Sequence, residues 1–217
     1  MATTYLSLIN KVLSRLRETE VLTPTDTDYA VLVGALVNDA KRTVENAWDW
    51  SMLRTTKTVS ATIGTQSYAI TGAGYNFKLL DAYNDTQNGR MWLTSQMEMN
   101  TLVDLQGSVS GAPDRFAYST VDSNGDQNIK VWPVPDGSYT LKFPMVVREA
   151  ELSSATDSTT LPAHLIVSYA WAMAARERGE TGGTSAQELF AIADRALADA
   201  IALDATRFPH ELTWRAV

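Results

Sequence analysis

Residues 129–180 read IKVWPVPDGSYTLKFPMVVREAEL and then SSATDSTTLPAHLIVSYAWAMAARERGE, and the hydrophobic period changes between these two blocks. In the first block, short apolar runs flank a Pro135-Asp136-Gly137 turn, which is typical of antiparallel strands. The polar linker at residues 153–160 follows, and Pro162 then begins an alanine-rich stretch with the 3.6-residue period of a helix. This stretch predicts that a β region ends, and a helical region begins, near residue 152.

Helical patterns occur at both ends of the chain. Before residue 52, residues 4–18 and about 28–48 each have one apolar stripe, and Asn38, Lys41 and Glu45 are predicted to lie off the second stripe. After residue 160, the helix that begins near Pro162 is followed by a last helix, which begins with a capping box at residues 185–188. Each of these four helices must bury its stripe, which favours one shared bundle.

Between the helical blocks, from about residue 52 to 151, the hydrophobic period is two. Asn88-Gly89 and Asn124-Gly125 are typical of hairpin turns. We therefore predict an α+β protein, in which an antiparallel helical bundle formed by the N- and C-terminal helix pairs carries an inserted antiparallel β region. The predicted domains are residues 1–51 with 152–206 for the bundle, 52–151 for the β domain and 207–217 for a C-terminal docking tail.

Composition excludes several classes of function. The 217 residues contain no cysteine and only two histidines, His164 and His210, which excludes disulfide scaffolds, cysteine-based metal sites and thiol nucleophiles. The apolar stretches are too short for a membrane span, and the N-terminus lacks the basic region of a signal peptide. We expect a soluble protein that is made in the cytoplasm and has no cofactor or metal. The net charge of −7 gives no basic surface for DNA binding.

Three short motifs point to chemistry, and each has a simpler structural interpretation. Residues 122–126 place Asp, Asn and Asp at alternating positions, but the glycine and glutamate of a calcium loop are out of place, which favours a hairpin turn. Gly72 and Gly74 begin a dinucleotide fingerprint whose third glycine is replaced by Phe77, which favours a strand-connecting loop. His164 could act as a catalytic base only beside a nucleophile, and the sequence contains no Gly-x-Ser-x-Gly motif that would supply one. We therefore predict no enzymatic activity.

The six tryptophans include three groups of interest. Trp48 and Trp50 lie where the second helix meets the β region, and we expect them to seal that junction. Trp92 and Trp132 lie in predicted strands, and Trp132 faces either the core or a partner. Trp214 lies near the end of the chain, beyond Pro209, and is predicted to dock onto a partner because large aromatic residues are common at interface hot spots.

The order of these motifs resembles that of a known family. The W-P-x-P-D turn at 132–136, the Y-T-L-x-F strand at 139–143 and the Leu-Pro before the alanine-rich helix follow a pattern seen in tailed-phage adaptor proteins. The run ENAWDWSMLRTTKTVSATIGTQSYAI at 45–70 is similar to the tryptophan-rich helix end and strand pair of that family. Over about residues 25–182 the chain resembles the head-to-tail adaptor, or tail tubular protein A-like, family of short-tailed phages.

The resemblance implies a structural virion protein without enzymatic activity. It implies a ring of twelve subunits between the portal protein and a downstream tail or nozzle protein, with double-stranded DNA passing along the ring axis during ejection. No membrane is involved. In that family the C-terminal segment reaches the portal, which implies a set of portal-docking residues in this chain. They are Arg207, Phe208, Leu212, Trp214 and Arg215.

A DNA conduit must not hold the phosphates of the moving genome, because cationic side chains that neutralise phosphates create affinity. An acidic protein agrees with this requirement, and Asp194, Asp199 and Asp204 on the last helix are predicted to face the channel. An ordinary solvated helix face explains these three residues equally well. Two other functions stay open: a carbohydrate-binding or hydrolysing tail accessory that uses Trp92 and Trp132, and another tail or baseplate completion protein.

Overall fold

The computed structural model of the protein describes residues 3–105, 109–179 and 186–207. The chain forms two compact units, which are Met1–Leu53 with Glu149–Val217, and Arg54–Arg148. We call them the helical unit and the β unit. Helices and strands both contribute extensively, so the predicted α+β class is confirmed.

Within the described residues, five α-helices and eleven strands follow one another along the chain. The α-helices are α1 (Tyr5–Arg15), α2 (Asp28–Ala47), α3 (Gln96–Asn100), α4 (Ala163–Glu177) and α5 (Ala186–Ala205). The strands are β1 (Thr3–Thr4), β2 (Arg54–Ala61), β3 (Ser67–Ala69), β4 (Phe77–Leu79), β5 (Tyr83–Asn84), β6 (Gly89–Arg90), β7 (Trp92–Leu93), β8 (Arg115–Val121), β9 (Gln127–Trp132), β10 (Tyr139–Val147) and β11 (Ser158–Thr159).

Threonine side chains cap the first two helices. Thr4 accepts a hydrogen bond from the Ser7 amide at 3.4 Å, and Thr27 accepts one from the Ala30 amide at 3.0 Å. These bonds satisfy amides that have no partner within the helix, which is why the helices begin where they do. The predicted starts near residues 4 and 28 are therefore confirmed.

Helix α4 lies among the other helices of its unit and packs against α1, α2 and α5. Leu165, Ile166 and Ala170 of α4 have no exposed surface. Helices α1 and α2 also pack on each other, and a Cβ atom at Gly34 of α2 would collide with the Tyr5 hydroxyl of α1. Strands β1 and β11 pair antiparallel and bring the start of α1 beside the segment that leads into α4.

In the β unit, β10 is the central strand of the first sheet. It pairs with β2 along one edge and with β4 and β5 along the other, and β6 pairs with β5. All of these pairs are antiparallel. The β5–β6 hairpin forms where it was predicted. Residues 85–88 make its turn, Asn88 has a positive φ of 50°, and Gly89 begins β6 opposite Asn84.

The second sheet has the strand order β3-β9-β8-β7, and it departs from the prediction in one respect. Strands β8 and β9 form the predicted hairpin, but β7 pairs with β8 in parallel. The connection between β7 and β8 runs through α3, and such a crossover is what a parallel pair requires. The inserted β region is therefore mixed rather than purely antiparallel.

The turn at Gly64 has a positive φ of 75° and joins β2 to β3, which belong to different sheets. Both sheets contribute to one hydrophobic core. Phe116 of the second sheet meets Phe143 of the first edge to face, with 5.4 Å between ring centroids, and both rings are buried. Edge-to-face contact is the favoured geometry for an aromatic pair.

Candidate assembly surfaces

Helix α5 packs on α4 through one side only. Leu189 and Ala193 are buried there, and the Tyr169 hydroxyl of α4 donates to Oδ1 of Asp194 at 2.5 Å. Burial, together with this bond, raises the pKa of Tyr169 above its usual range, so the phenol stays a donor. The guanidinium of Arg176 lies over the Phe190 ring at 5.1 Å. These contacts fix the orientation of α5 in its unit.

The opposite side of α5 is exposed and largely apolar. Ile192 and Leu203 are 57% and 66% exposed. We call this side the α5 outer face, and its members are all exposed. They are Ala191, Ile192, Arg195, Ala198, Asp199, Ala202 and Leu203. Aliphatic side chains at this density on a water-exposed helix leave hydrophobic surface unburied, which marks an interaction site.

The end of α5 is fixed by a buried carboxylate, Asp204, which is 4% exposed. Its Oδ2 accepts from the Ser51 amide at 2.9 Å and from Nε1 of Trp48 at 3.2 Å. Its Oδ1 accepts from the Ser51 hydroxyl at 2.6 Å and from Arg207 at 3.3 Å. We call this arrangement the Asp204 latch. It ties the end of α5 to the segment that follows α2.

The latch corrects one of the predicted channel-facing residues. Asp204 has its carboxylate turned into its own subunit, where four donors surround it, and it presents almost no surface. Asp194 and Asp199 are exposed. They are five positions apart, so they point about 140° apart around the helix axis. The two side chains therefore lie on different sides of α5.

An apolar groove of about 370 Å³ runs beside the second half of α5. Trp50, Pro162, His164 and Leu203 are among the residues that line it, together with Arg207. Arg207 also donates to the Ser51 hydroxyl at 3.0 Å. The other predicted portal-docking residues lie outside the described residues. They are Phe208, Leu212, Trp214 and Arg215.

A second groove, of about 460 Å³, lies between α1 and α4. We call it the basic groove, and it is lined by Lys11, Ser14, Arg15, Glu20, Ala163, His164 and Val167. His164 therefore borders both grooves. The guanidinium of Arg15 lies 5.3 Å from the Trp171 ring centroid and donates to the Ser168 hydroxyl at 3.3 Å. Burial lowers the pKa of Arg15, although this residue stays a cation at any physiological pH.

Helix α2 carries a cluster of buried polar side chains that the sequence analysis did not predict. Asn38, Lys41 and Glu45 are buried rather than off the buried stripe, which corrects the prediction. The Asn38 amide both donates to the Leu152 carbonyl at 2.9 Å and accepts from the Leu152 amide at 3.0 Å. Positions 38, 41 and 45 lie on one side of a helix. This spacing was the feature of the sequence from which the cluster could have been predicted.

Lys41 completes this cluster. Its ammonium donates to Glu45 at 2.9 Å and to the carbonyls of Glu149 and Ala150 at 3.1 and 3.0 Å. We call the three α2 side chains the α2 clamp. A buried ammonium needs this number of acceptors, because an unpaired charge is costly away from water. The clamp fixes residues 149–152 onto α2.

The two motifs that suggested calcium or phosphate chemistry meet in one structural turn. Asp126 accepts from the amides of Gly72 and Gly74, both at 2.9 Å, and these bonds hold the pKa of Asp126 below its usual range. Asp122 accepts from the amides of Asn124 and Asp126 within its own hairpin. Both carboxylates are therefore used to shape loops, and in the described part of the chain no group of His, Asp and Glu could hold a metal ion.

The tryptophans have different environments. Trp50 is buried and donates to the Val44 carbonyl at 2.7 Å, which fixes the chain where it leaves α2. Trp92 is 63% exposed in the β unit. Trp132 is half-buried, and Arg115 lies over its ring at 5.4 Å. Of the two rings considered for stacking on sugars, Trp92 is therefore the more open.

Comparison with known protein families shows which family the chain belongs to. The sequence model of the SU10 adaptor protein family matches residues 3–215. No curated protein matches the chain. None of the described helices is long and apolar enough to cross a membrane. Because the match covers nearly the full chain, the protein belongs to the SU10 adaptor protein family and is a structural adaptor component of a phage virion.

Proposed function

We propose that the protein forms a ring that connects the portal to the tail and lines part of the DNA channel. The observation that carries this proposal is the α5 outer face, which has two large aliphatic side chains more than half exposed. A surface of this kind is expected in a subunit that is completed by neighbours. In this proposal the ring has twelve subunits. Its scaffold is the bundle that the N- and C-terminal helix pairs form in each subunit.

The proposed portal contact is the C-terminal tail. The Asp204 latch gives this tail a defined starting point, because Arg207 is bound to both Asp204 and Ser51. The residues that follow include Phe208, Leu212 and Trp214, and large aromatic side chains supply much of the binding energy at interfaces. A fixed origin lowers the entropy lost when the tail docks.

The proposed channel wall is acidic. The chain has a net charge of −7, and α5 carries the exposed carboxylates of Asp194 and Asp199. Carboxylates repel the phosphates of a passing duplex and leave no cationic sites for it to bind. These two residues point to different sides of α5, so at most one of them can face the channel.

The test mixes the full-length chain with its portal protein and follows the complex by native mass spectrometry and electron microscopy. We expect a ring of this protein on the portal ring. A chain that ends after Arg207 should fold normally but lose portal binding, and Trp214→Ala should weaken binding about tenfold or more. His210→Ala in the same tail is the matched control.

Two results would contradict the proposal in different ways. Failure of the intact chain to bind the portal would remove the connector function. Portal binding by the truncated chain, with an affinity equal to that of the intact chain, would show that residues 208–217 are not the portal contact.

A further inference from the structure

We propose that the α5 outer face of one subunit docks into the basic groove of a second copy of this chain. The inference rests on the proposed function, because it names the two surfaces that close the ring. It assigns one occupant to each surface, and that occupant is the neighbouring copy.

The first argument is the match of apolar surface. Ile192 and Leu203 extend from the α5 outer face, while Ala198 and Ala202 between them have side chains small enough to let a second backbone come close. The basic groove has room for aliphatic side chains, about 460 Å³, and Val167 forms part of its wall. Burial of these side chains between copies supplies the hydrophobic gain that α5 does not obtain in its own chain.

The second argument is charge. The charged residues of the α5 outer face are Arg195 and Asp199, which lie one helical turn apart. The basic groove presents Lys11 and Arg15 on α1 and also one acid, Glu20. Each charge on the α5 outer face therefore has an opposite charge available in the groove, and we pair Asp199 with Lys11. Complementary charges of this kind fix the register of an interface more than its affinity.

The third argument is direction. Tyr169 of α4 bonds to α5, and Val167 of α4 lines the basic groove. These two residues are two positions apart, so they point about 160° apart around the α4 axis. The α5 contact and the basic groove thus use different sides of α4. The groove beside α5, which Asp199 and Leu203 also line, adjoins the basic groove at His164. A contact between two different surfaces of the same chain is head-to-tail, and such contacts build rings or filaments rather than closed pairs.

The inference also sorts the channel-facing candidates. Asp199 lies at the subunit boundary in this arrangement, and Asp194 remains as the predicted channel-facing residue that is still free to face the channel. The two acids then have separate roles, which can be tested by separate experiments.

The first experiment reverses charges in the full-length chain. Asp199→Lys should raise the concentration needed for ring assembly, alone or on the portal, about tenfold or more, because it places a cation opposite Lys11. Lys11→Asp should have the same effect. The double variant, Asp199→Lys with Lys11→Asp, should recover most of the assembly, and recovery is a result that simple misfolding does not produce.

The matched control is Asp39→Lys, which makes the same charge change at an exposed position of α2. It should assemble like the wild type. If both single reversals assemble normally, or if the double variant is no better than either single variant, the pairing is wrong.

The second experiment uses the absence of cysteine in this chain. A variant with Ser14→Cys in the basic groove and Ala198→Cys on α5 should give a ladder of disulfide-linked oligomers under oxidation, up to the full ring. Each single-cysteine variant should stay monomeric on a denaturing gel. Dimers from a single-cysteine variant would show a symmetric contact, and cross-links from position 198 to the portal alone would assign the α5 outer face to the portal; either result overturns the inference.

The two proposals fail in different ways. Rings that form on the portal without this cross-link leave the connector function intact and overturn only the inferred interface. If no oligomer forms under any condition, with or without the portal, both proposals fail.

Discussion

Two buried carboxylates, Asp204 and Asp126, each accept hydrogen bonds from a distant part of the chain and so join segments that are far apart in the sequence. Asp204 collects two side-chain donors and one backbone amide from the segment after α2, as well as Arg207. Asp126 collects two glycine amides from a loop more than 50 positions away in the chain. In both cases the carboxylate serves the fold.

The latch gives a first prediction. Asp204→Ala should lower the free energy of unfolding by about 3 kcal/mol, because it leaves the Ser51 amide and Nε1 of Trp48 without an acceptor. Urea denaturation followed by circular dichroism at 222 nm measures this change. Asp199→Asn, an exposed acid on the same helix, is the control and should change stability by less than about 0.5 kcal/mol. Equal stability of the two variants would show that the latch is not stabilising.

Asp126 gives a prediction about how the stability of the β unit depends on pH. Its pKa is lower in the folded protein than in the unfolded chain, so its contribution to stability is complete above about pH 4 to 5 and is lost as pH falls through the folded value. Asp126→Asn should therefore destabilise the β unit at pH 7. The difference in stability from wild type should narrow progressively as pH falls below about 4. Amide hydrogen exchange at residues of β3 and β9 measures this difference. A difference that is independent of pH would contradict the assignment.

Contacts between elements depend on polar groups as much as on hydrophobic packing. The α2 clamp binds the backbone of residues 149–152, a segment that lies between β10 and β11 and outside any strand or helix. Asn38 pairs with Leu152 as a strand neighbour would, with one donor and one acceptor. The clamp therefore gives this irregular segment a defined path across α2.

The clamp gives a third prediction. Lys41→Met should cost about 3–5 kcal/mol, because it leaves the Glu45 carboxylate buried without its cation. The double variant with Glu45→Met should be more stable than Lys41→Met alone, since it removes the uncompensated charge. Arg42→Met, at the exposed neighbouring position, is the control for a lost cation. Urea denaturation at pH 7 separates these cases, and a single variant as stable as the double would contradict the charge argument.

At the level of the proposed ring, the relevant property is the sign of the charge that a passing duplex would meet. We expect Asp194→Lys to give rings that bind duplex DNA at low salt and release it at high salt, because each lysine adds a phosphate contact. The wild-type ring should not bind DNA under the same conditions. Fluorescence anisotropy with labelled duplex at several salt concentrations measures the difference.

Asp194→Asn is the matched control, because it loses the charged acceptor of the Tyr169 hydroxyl without adding a cation. It should leave DNA binding near the wild-type level. If Asp194→Lys behaves in the same way, Asp194 does not face the DNA path.

The sequence by itself was sufficient for features that depend on neighbouring residues. The α+β class, the starts of α1 and α2 and the β5–β6 and β8–β9 hairpins all follow from side chains within a few positions of one another. The order of these local motifs was also enough to identify an adaptor-type family. The distribution of β2 and β3 between two sheets and the parallel β7–β8 pair were not predictable in this way.

Tertiary structure alone decided which polar residues are buried. Asn38 and Lys41 were predicted to lie off the apolar stripe of α2, and Asp204 was predicted to face the channel together with Asp194 and Asp199. Their partners are Leu152 and Glu149 for the α2 clamp and Trp48 for the Asp204 latch. These partners lie 108 to 156 positions away in the chain, and no local period of the sequence encodes such a separation. A buried polar group is stable only where its partners meet it, and those partners are brought together only when the chain is folded.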